Sequence, residues 1–596
     1  MSDSEINELT HHAMLVAWGE FAQSIGLIQE IESVSLHQKT VTHRPQTKIL
    51  EFFVGILAGL AHLKDLSRSA HPIDQDQAVA KAWLQPAWAD YSGVSRTLTT
   101  LCQEEAEQVA GALHKITKLI LDAEIMKALQ FSGRLTYDGD LTGRPVSNIS
   151  TTYPNAGYGH MDDAIRLGYQ AAMVSMHSPT YGRLWLSVVP HPGNTASCTQ
   201  VEAMLLAAEA KTGLRPLRRT DLLRGRVQCA SRERQGREVQ VQAIERELTT
   251  VQGREAETRQ QIDQQRVLVS ELEAEYREKQ RPERPYSTLG QARHKLGALE
   301  RRQARLAKKA SKLEEQLARR QGQLVVCQAQ ESQLQRRLEQ FEADNRANRC
   351  PIQADFRLDA GFGVRENVAL LIEMGYEVYT KPYADWLTPR LRRQTAGRSD
   401  WTRVGKNAEM IAWKAATLDD FPYPLDVALE RFWVGDKQKH ATLLHFGTDP
   451  VTTDLPAWFR RYNARQTIEA GIKEGKGVFE MHHLKVRSAP GLYLQEQFAV
   501  FAANFVRWAA HWLATQCPQL PAGWRTTAQP KVKEQVKVGA HTSAWVNWQE
   551  QGCLLKFTDH SVFAGRSLAL ERRWAVQLPL PFSESSCFGH SYRGIS

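Results

Sequence analysis

The stretch YNARQTIEAGIKEGK (462–476) carries the most specific pattern in the chain. Its steps of three, four and seven residues place four side chains on one stripe of a predicted helix: Tyr462, Arg465, Glu469 and Lys476. Arg465 would lie one turn before Glu469 and orient it. Lys476 would lie two turns beyond and meet a phosphate, and Tyr462 would pack on a sugar or donate to phosphate. Taken in isolation, the helix pattern favours a solvated amphipathic segment with ordinary charge pairs.

Two aspartates upstream complete a set of carboxylates. Asp140 stands at the end of a predicted strand, FSGRLTYDGDLTGRP (131–145), and Asp359 closes another, ADFRLDAGFG (354–363). Hard divalent cations take oxygen ligands, so strand-end carboxylates with a third from a helix would hold two Mg²⁺ ions, or Mn²⁺ in their place. Such a pair activates a water or a 3′-hydroxyl at a phosphodiester. Asp138 faces the same side of the strand as Asp140 and is the alternative first ligand.

Composition narrows the class of protein. The 596 residues predict three to five domains, and the formal net charge of +9 favours an anionic partner, nucleic acid first, although many soluble proteins are mildly basic. The eight cysteines form no C-x-x-C pair, which argues against a zinc ribbon and fits a reducing cytosol. We expect no signal peptide and no membrane span.

A compositional change marks residues 226–348, which are rich in Arg, Gln, Glu, Leu and Ala. Apolar residues there keep a 3-4 spacing over more than seven heptads, which predicts a coiled coil. Only Gln303, Arg320 and Glu331 break the apolar seam from Leu289 to Phe341. Pro282 and Pro285 interrupt the helix, so we expect two arms that fold back as an antiparallel hairpin.

The segments on either side of the predicted coiled coil differ in their predicted secondary structure. Residues 1–127 read as a helical, DNA-binding domain, in which a Gly-containing turn at 91–94 leads into a helix start with Ser95, Arg96 and Thr97. This resembles a helix-turn-helix, with an ordinary helical hairpin as the alternative. The α/β core is predicted to be discontinuous, with its first part at 128–225 and its second at 349–383. A β-rich insertion is predicted at 384–455, further core helices at 456–516, and a C-terminal region at 517–596.

The residues described above resemble the motifs of a known protein family. Tyr462, Arg465, Glu469 and Lys476 reproduce the Y-x2-R-x3-E-x6-K signature of bacterial insertion-sequence DDE transposases. Asp140-Leu-Thr142 resembles the first-aspartate motif of that family, and Asp359-Ala-Gly-Phe resembles the second. The resemblance covers about 131–213 and 351–516.

The resemblance implies an α/β, RNase H-like catalytic core with a β-rich insertion before the glutamate. It also implies a Mg²⁺-dependent enzyme of the bacterial cytosol, associated with the nucleoid. Such an enzyme binds double-stranded DNA at element ends and target as a homo-oligomer, cleaves the ends and transfers their 3′-hydroxyls. The Asp-x-Thr context favours Asp140 over Asp138, whereas the coiled-coil insertion departs from the family pattern.

Further candidates follow from the same resemblance. Three tryptophans in the β-rich insertion could stack on an extruded base, with core packing as the competing role: Trp401, Trp413 and Trp433. Arg487 is a candidate DNA contact. A metal site at His482-His483 is not expected, because neighbouring side chains point apart on a strand or helix.

Two other functions remain open. One is an RNase H-like nuclease without strand transfer, which the same three carboxylates would serve. The other is an inactive or domesticated DNA-binding coiled-coil protein, against which the intact set of Asp140, Asp359, Glu469, Arg465 and Lys476 argues.

Overall fold

The computed structural model describes residues 7–38, 42–147, 153–161, 164–383, 386–419, 421–516, 532–561 and 563–572. It is a mixed α/β structure that divides into two compact units. One comprises Met1–Leu217 with Asn348–Ser596, and the other Arg218–Ala347. The finer division into seven segments stays a prediction.

The described helices of the larger unit are α1 to α8 before the smaller unit and α11 to α15 after it. Their bounds are α1 Ala13–Ser24, α2 Leu27–Glu32, α3 Pro45–Leu57, α4 Asp65–Arg68, α5 Gln77–Ala82, α6 Tyr91–Thr100, α7 Gln103–Ser132, α8 Val201–Thr212, α11 Arg365–Glu373, α12 Leu387–Gln394, α13 Leu455–Asn463, α14 Gln466–Val478 and α15 Ala489–Gln516, with a further short helix at Val532–Lys537. The smaller unit contains α9 Thr220–Glu278 and α10 Thr288–Ala347.

The described strands all belong to the larger unit. They are β1 Glu8–Thr10, β2 Arg134–Pro145, β3 Gly157–Met161, β4 Ala164–Ser178, β5 Gly182–Pro192, β6 Gln353–Arg357, β7 Glu377–Thr380, β8 Thr402–Arg403, β9 Ala408–Ala416, β10 Leu425–Val434, β11 Lys437–Phe446, β12 Ala544–Gln549, β13 Gly552–Phe557 and β14 Ser567–Glu571.

Ten of the strands in the described residues form one mixed sheet, which organises the larger unit. Its order is β3-β4-β2-β6-β7-β11-β10-β9-β8, with β5 paired to β4. The strand β2 pairs antiparallel with β4 on one side and parallel with β6 on the other, and β6 pairs parallel with β7. The strands predicted as a separate β-rich insertion continue this sheet, because β11 pairs antiparallel with β7.

The helix α15 is the centre of the apolar packing. Its phenylalanine and tryptophan side chains are buried and contact rings from the N-terminal helices: Phe53 lies 5.1 Å from Phe498, and Phe21 lies 5.1 Å from Phe505, between ring centroids. The N-terminal helices are therefore packed into the same unit as the central sheet.

A second, four-stranded sheet has the order β1-β12-β13-β14. Its first strand comes from the N-terminal region and pairs antiparallel with β12, Leu9 opposite Trp545. Of the predicted C-terminal region, residues 517–531 and 573–596 lie outside the described residues.

The smaller unit consists of two long packed helices, as predicted, with the linker at residues 279–287. Apolar clusters pair Val269 with Leu289 and Val251 with Leu313, so positions rise along α9 as they fall along α10 and the helices are antiparallel. The polar seam residue Glu331 accepts a hydrogen bond from Arg234 at 2.6 Å. At about 1.5 Å per residue, each helix is about 90 Å long.

Four local predictions were wrong. The stretch 462–476, predicted to lie on one helix, spans the end of α13 and most of α14, with the break between Asn463 and Gln466. The predicted Gly turn before Ser95 is the first turn of α6, because the Asp90 side chain accepts the Gly93 N–H and starts the helix earlier. Residues 387–394, expected to be extended, form α12. Asp140 is inside β2, which continues to Pro145 because β4 pairs with it.

Among the described residues, no helix combines the length and the apolar character needed to cross a lipid bilayer.

Candidate functional site

Three distant segments bring their carboxylates to one place on the central sheet. Asp140 lies on β2 just past the point where its parallel pairing with β6 ends, at Asp138 opposite Arg357. Asp359 lies two residues after the end of β6, and its carboxylate accepts the Gly361 N–H at 2.9 Å. Glu469 lies in the first turn of α14. The parallel pairing of β2 with β6 places Asp140, inside β2 where that pairing ends, near Asp359 just beyond β6, and the helix α14 adds the third carboxylate.

The guanidinium of Arg465 connects two of these carboxylates. Its Nη2 donates to Glu469 Oε1 at 2.6 Å, and its Nη1 lies 3.6 Å from Asp140 Oδ2. This Nη1 is buried and makes no hydrogen bond to the described residues. The Arg465 side chain is 9% exposed, whereas that of Glu469 is 43% exposed. The buried guanidinium of Arg465 therefore lies on the protein side of these carboxylates, and Glu469 faces solvent.

The carboxylates are electrostatically strained. Burial, followed by the charge of Asp359, raises the pKa of Asp140 from 3.8 to about 7, against the opposing effect of Arg465. Burial also raises the pKa of Asp359, with Glu469 adding to the rise and Arg465 opposing it. Burial alone would lower the pKa of Arg465, but the acidic groups around it raise it, so it stays charged. One guanidinium does not offset three carboxylates, and a further cation would be stabilised here.

Asp138 has a different partner. Both of its oxygens accept hydrogen bonds from Arg357, at 2.6 and 2.7 Å, and both side chains are almost fully buried. The register of β2 and β6 sets Asp138 directly opposite Arg357. Its oxygens are thus engaged in a bidentate ion pair, whereas Asp140 Oδ2 has Arg465 only at 3.6 Å.

Lys381 is a residue of this site that the sequence analysis did not single out. It follows β7, and its ammonium lies 5.3 Å from the centre of the Tyr462 ring. Burial lowers its pKa, with Arg465 acting in the same direction, while Glu430, Asp359 and Glu469 oppose the effect. The signal in the sequence was that Lys381 directly follows β7, the strand that runs parallel to β6, just beyond which Asp359 lies. Tyr462 is buried against the same groups, and burial raises its pKa.

A cleft of about 450 Å³ adjoins the carboxylates. Its lining includes Leu141 and Gly361, whose backbone N–H groups bond to Asp140 and Asp359, respectively. Tyr158 and Tyr383 also line it and are more than half exposed. The cleft is open, and its lining mixes tyrosine and aliphatic side chains with polar ones such as Gln170 and Asn194.

The other predicted side chains are placed as follows. Thr142 is buried on β2, on the face that alternation gives to Asp140, and Lys476 is half-buried two turns beyond Glu469 on α14. Arg96 is exposed on α6 and lines a separate cleft of about 750 Å³ with Lys48. Arg487 is exposed, with its guanidinium 5.8 Å from the Tyr153 ring centre.

The three tryptophans are all half-buried: Trp413 and Trp433 lie on β9 and β10 of the antiparallel part of the sheet, and Trp401 directly precedes β8. The guanidinium of Arg431 lies 4.0 Å from the Trp401 ring centre and 5.9 Å from that of Trp433, and Arg431 also donates to Glu409. Trp413 stands opposite Val427 on β10. Arg431 therefore already packs on two of the rings proposed for base stacking.

The expectation that His482 and His483 point apart was wrong. Residues 481–483 form a turn rather than a strand or helix, and the two ring centroids are 3.9 Å apart. In a strand or helix, neighbouring side chains point in different directions, but in a turn two neighbouring side chains can lie on the same side.

Comparison with models of protein families found no match, and comparison with curated proteins found none either. The function has to be argued from the residues of the site.

Proposed function

We propose that this protein is a DDE-type DNA transposase that cleaves element ends and joins them to target DNA, using Asp140, Asp359 and Glu469. The observation that carries the proposal is the convergence of these three carboxylates, from β2, β6 and α14, on the guanidinium of Arg465. We also propose that the sheet and its flanking helices are an RNase H-like core. Its pairing of antiparallel β2, β4 and β5 with parallel β6 and β7 supports this assignment.

The residues fit a pair of divalent metal ions. All three candidate ligands are carboxylates, and Mg²⁺ prefers oxygen. Burial and mutual repulsion raise the pKa values of Asp140 and Asp359, so a dication would relieve an existing cost. When bound, two such ions polarise a phosphodiester and activate an attacking water or 3′-hydroxyl.

The protein's own residues would position the substrate. Arg465 holds the Glu469 carboxylate in one orientation through its 2.6 Å hydrogen bond. Lys381, half-buried beside Tyr462, would supply a positive charge to a phosphate at the edge of the carboxylates. The adjoining cleft, with exposed Tyr158 and Tyr383, would receive the DNA strand beyond the reacting phosphate. Most of this catalysis would come from positioning and charge stabilisation.

The test is Mg²⁺-dependent cleavage of a plasmid that carries the gene with its native flanks. Wild type is compared with Glu469→Gln, which keeps the size of the side chain but removes its charge. Breaks at the element boundary with wild type alone, together with joined products, would support the proposal. Breaks without joining would indicate a nuclease. Intact DNA with both proteins, while both bind the flanks, would indicate a DNA-binding protein without activity.

A further inference from the structure

A cluster of nitrogen and oxygen ligands lies beyond the end of α14, apart from the carboxylates of Asp140, Asp359 and Glu469. Glu480, His482 and His483 each offer a ligand atom, and these atoms lie within 4.8 Å of one another. His483 Nδ1 is 3.0 Å and His482 Nε2 3.6 Å from the same oxygen, Oε2 of Glu480. The three side chains are half-buried, so a bound ion would be partly shielded from water.

The hydrogen bonding of His482 fixes its tautomer. Its Nδ1 lies 2.6 Å from the backbone oxygen of Lys476. A carbonyl oxygen can only accept, so Nδ1 carries the proton and donates it. In the neutral ring, the lone pair of Nε2 then faces a carboxylate oxygen at 3.6 Å, which is also an acceptor. Two acceptors that face each other favour a cation between them. A histidine whose other nitrogen donates to a carbonyl is the usual arrangement at metal sites.

The distances match those that a small cation requires. Two ligands each about 2.0–2.1 Å from a tetrahedral Zn²⁺ are about 3.3 Å apart. The separations of 3.0 and 3.6 Å at Glu480 Oε2 bracket that value; the shorter one is a hydrogen bond with His483 Nδ1, whose proton a bound ion would displace. The ring of His62 has its centroid 5.4 Å from that of His483 and is exposed, so a further imidazole is within reach for the fourth position.

The surrounding charges leave one carboxylate oxygen for the ion. The ammonium of Lys537 lies 2.7 Å from Oε1 of Glu480, which orients the carboxylate without using Oε2. Lys485 donates to the backbone oxygen of Glu480 at 3.3 Å. Two ammonium groups near a dication weaken its binding, so we expect a lower affinity than the same three ligands would have without them.

We propose that Glu480, His482 and His483 bind one Zn²⁺ ion, which anchors the C-terminal end of α14. Imidazole and carboxylate together suit Zn²⁺, whereas Mg²⁺ prefers oxygen alone, so the site is chemically distinct from the carboxylates of Asp140, Asp359 and Glu469. Because His482 bonds to the Lys476 carbonyl in the last turn of α14, an ion held there would fix the helix whose first turn carries Glu469.

The experiment uses the full chain, freed of metal with a chelator, dialysed, and kept in excess Mg²⁺ so that the carboxylate site does not compete. Zn²⁺ binding is measured by competition with a chromophoric chelator, and Co²⁺ binding by its visible absorption. We expect one ion per chain for wild type. Loss of outer-shell partners alone costs about 10- to 100-fold in metal affinity, so His482→Ala and His483→Ala should each lose at least that much.

The matched control is His560→Ala, which removes an exposed histidine remote in sequence from the cluster and should bind Zn²⁺ like wild type. Circular dichroism establishes that each variant is folded. Absence of saturable Zn²⁺ binding by folded wild type would overturn the proposal. Undiminished binding by both folded histidine variants would overturn it too, since the ion would then be held elsewhere.

Discussion

Replacing Asp140 by asparagine should stabilise the metal-free protein while it abolishes cleavage. The carboxylate of Asp140 is only 14% exposed, and burial together with Asp359 raises its pKa from 3.8 to about 7. Asparagine has the same shape and no charge. The variant therefore removes a buried negative charge from a site in which three carboxylates outnumber two cationic groups, Arg465 and Lys381.

The magnitude follows from the pKa. The difference between 3.8 and about 7 is roughly three pH units, and at about 1.36 kcal/mol per unit this amounts to about 4 kcal/mol at pH 8. An amide that is incompletely hydrogen-bonded costs about 1–2 kcal/mol in return, which leaves a net gain of about 2–3 kcal/mol. The sign depends on pH. Between pH 4 and 7 the folded state holds a proton that the unfolded state has lost, so wild-type stability falls as the pH rises, and the advantage of the variant disappears towards pH 4.

The assay is urea unfolding at pH 8 with EDTA, followed by tryptophan fluorescence. All 15 tryptophans lie outside 218–347, so the signal reports only the larger unit. Mg²⁺ should then stabilise wild type and leave the variant unchanged. The matched control is Asp138→Asn, two residues away on the same strand. It leaves the buried Arg357 guanidinium without its bidentate partner and should destabilise the protein by about 3–5 kcal/mol.

The reasoning would be refuted if Asp140→Asn were no more stable than wild type at pH 8 without metal. It would also fail if the two stabilities did not converge as the pH is lowered. Retained cleavage in Asp140→Asn would instead point to Asp138 as the first ligand.

The other predictions concern the same site and the long hairpin. Arg465→Met should lower the free energy of unfolding of the metal-free protein by about 1.5–3 kcal/mol, towards the lower value because Glu469 is partly exposed. Mg²⁺ should restore much of that stability, and urea unfolding that shows no loss without metal would contradict the prediction. Asp359→Asn and Glu469→Gln should reduce plasmid cleavage to background but retain DNA binding in a gel-shift assay, and substantial cleavage by either would remove that residue from the metal site. Replacing residues 228–346 by a short linker should leave the larger unit folded, with cooperative unfolding by fluorescence, whereas a molten or insoluble product would argue against it. Leu313→Ala should destabilise the hairpin by about 2–5 kcal/mol, seen as an earlier loss of helical circular dichroism; an unchanged transition would show that the cluster with Val251 does not hold the helices.

The long helices were predictable because their pattern is local and repeated. The 3-4 spacing from Leu289 to Phe341 specifies a helix and its buried face without knowledge of any other segment, and two prolines mark the turn. The convergence of Asp140 with Asp359 could be anticipated only as a hypothesis, since it depends on which strands are neighbours.

What the sequence could not supply was register. Asp138 and Asp140 are equivalent by alternation, and they differ because β6 places Arg357 opposite Asp138. The break before α14 was also hidden, because the helical spacing of Tyr462 and Glu469 continues across it. The turn that brings His482 and His483 together follows a helix end that the pattern does not mark.

The pairing of β1 with β12 has a consequence for synthesis of the chain. Leu9 emerges from the ribosome early, but its partner Trp545 emerges more than 500 residues later. At about 5–20 residues per second, the first strand waits roughly half a minute to two minutes for the second. A chain cut short before β12 would leave the edge of β1 unpaired, available to other nascent chains or to proteases. The four-stranded sheet can therefore form only after most of the chain has been translated, and a prematurely terminated product would lack it.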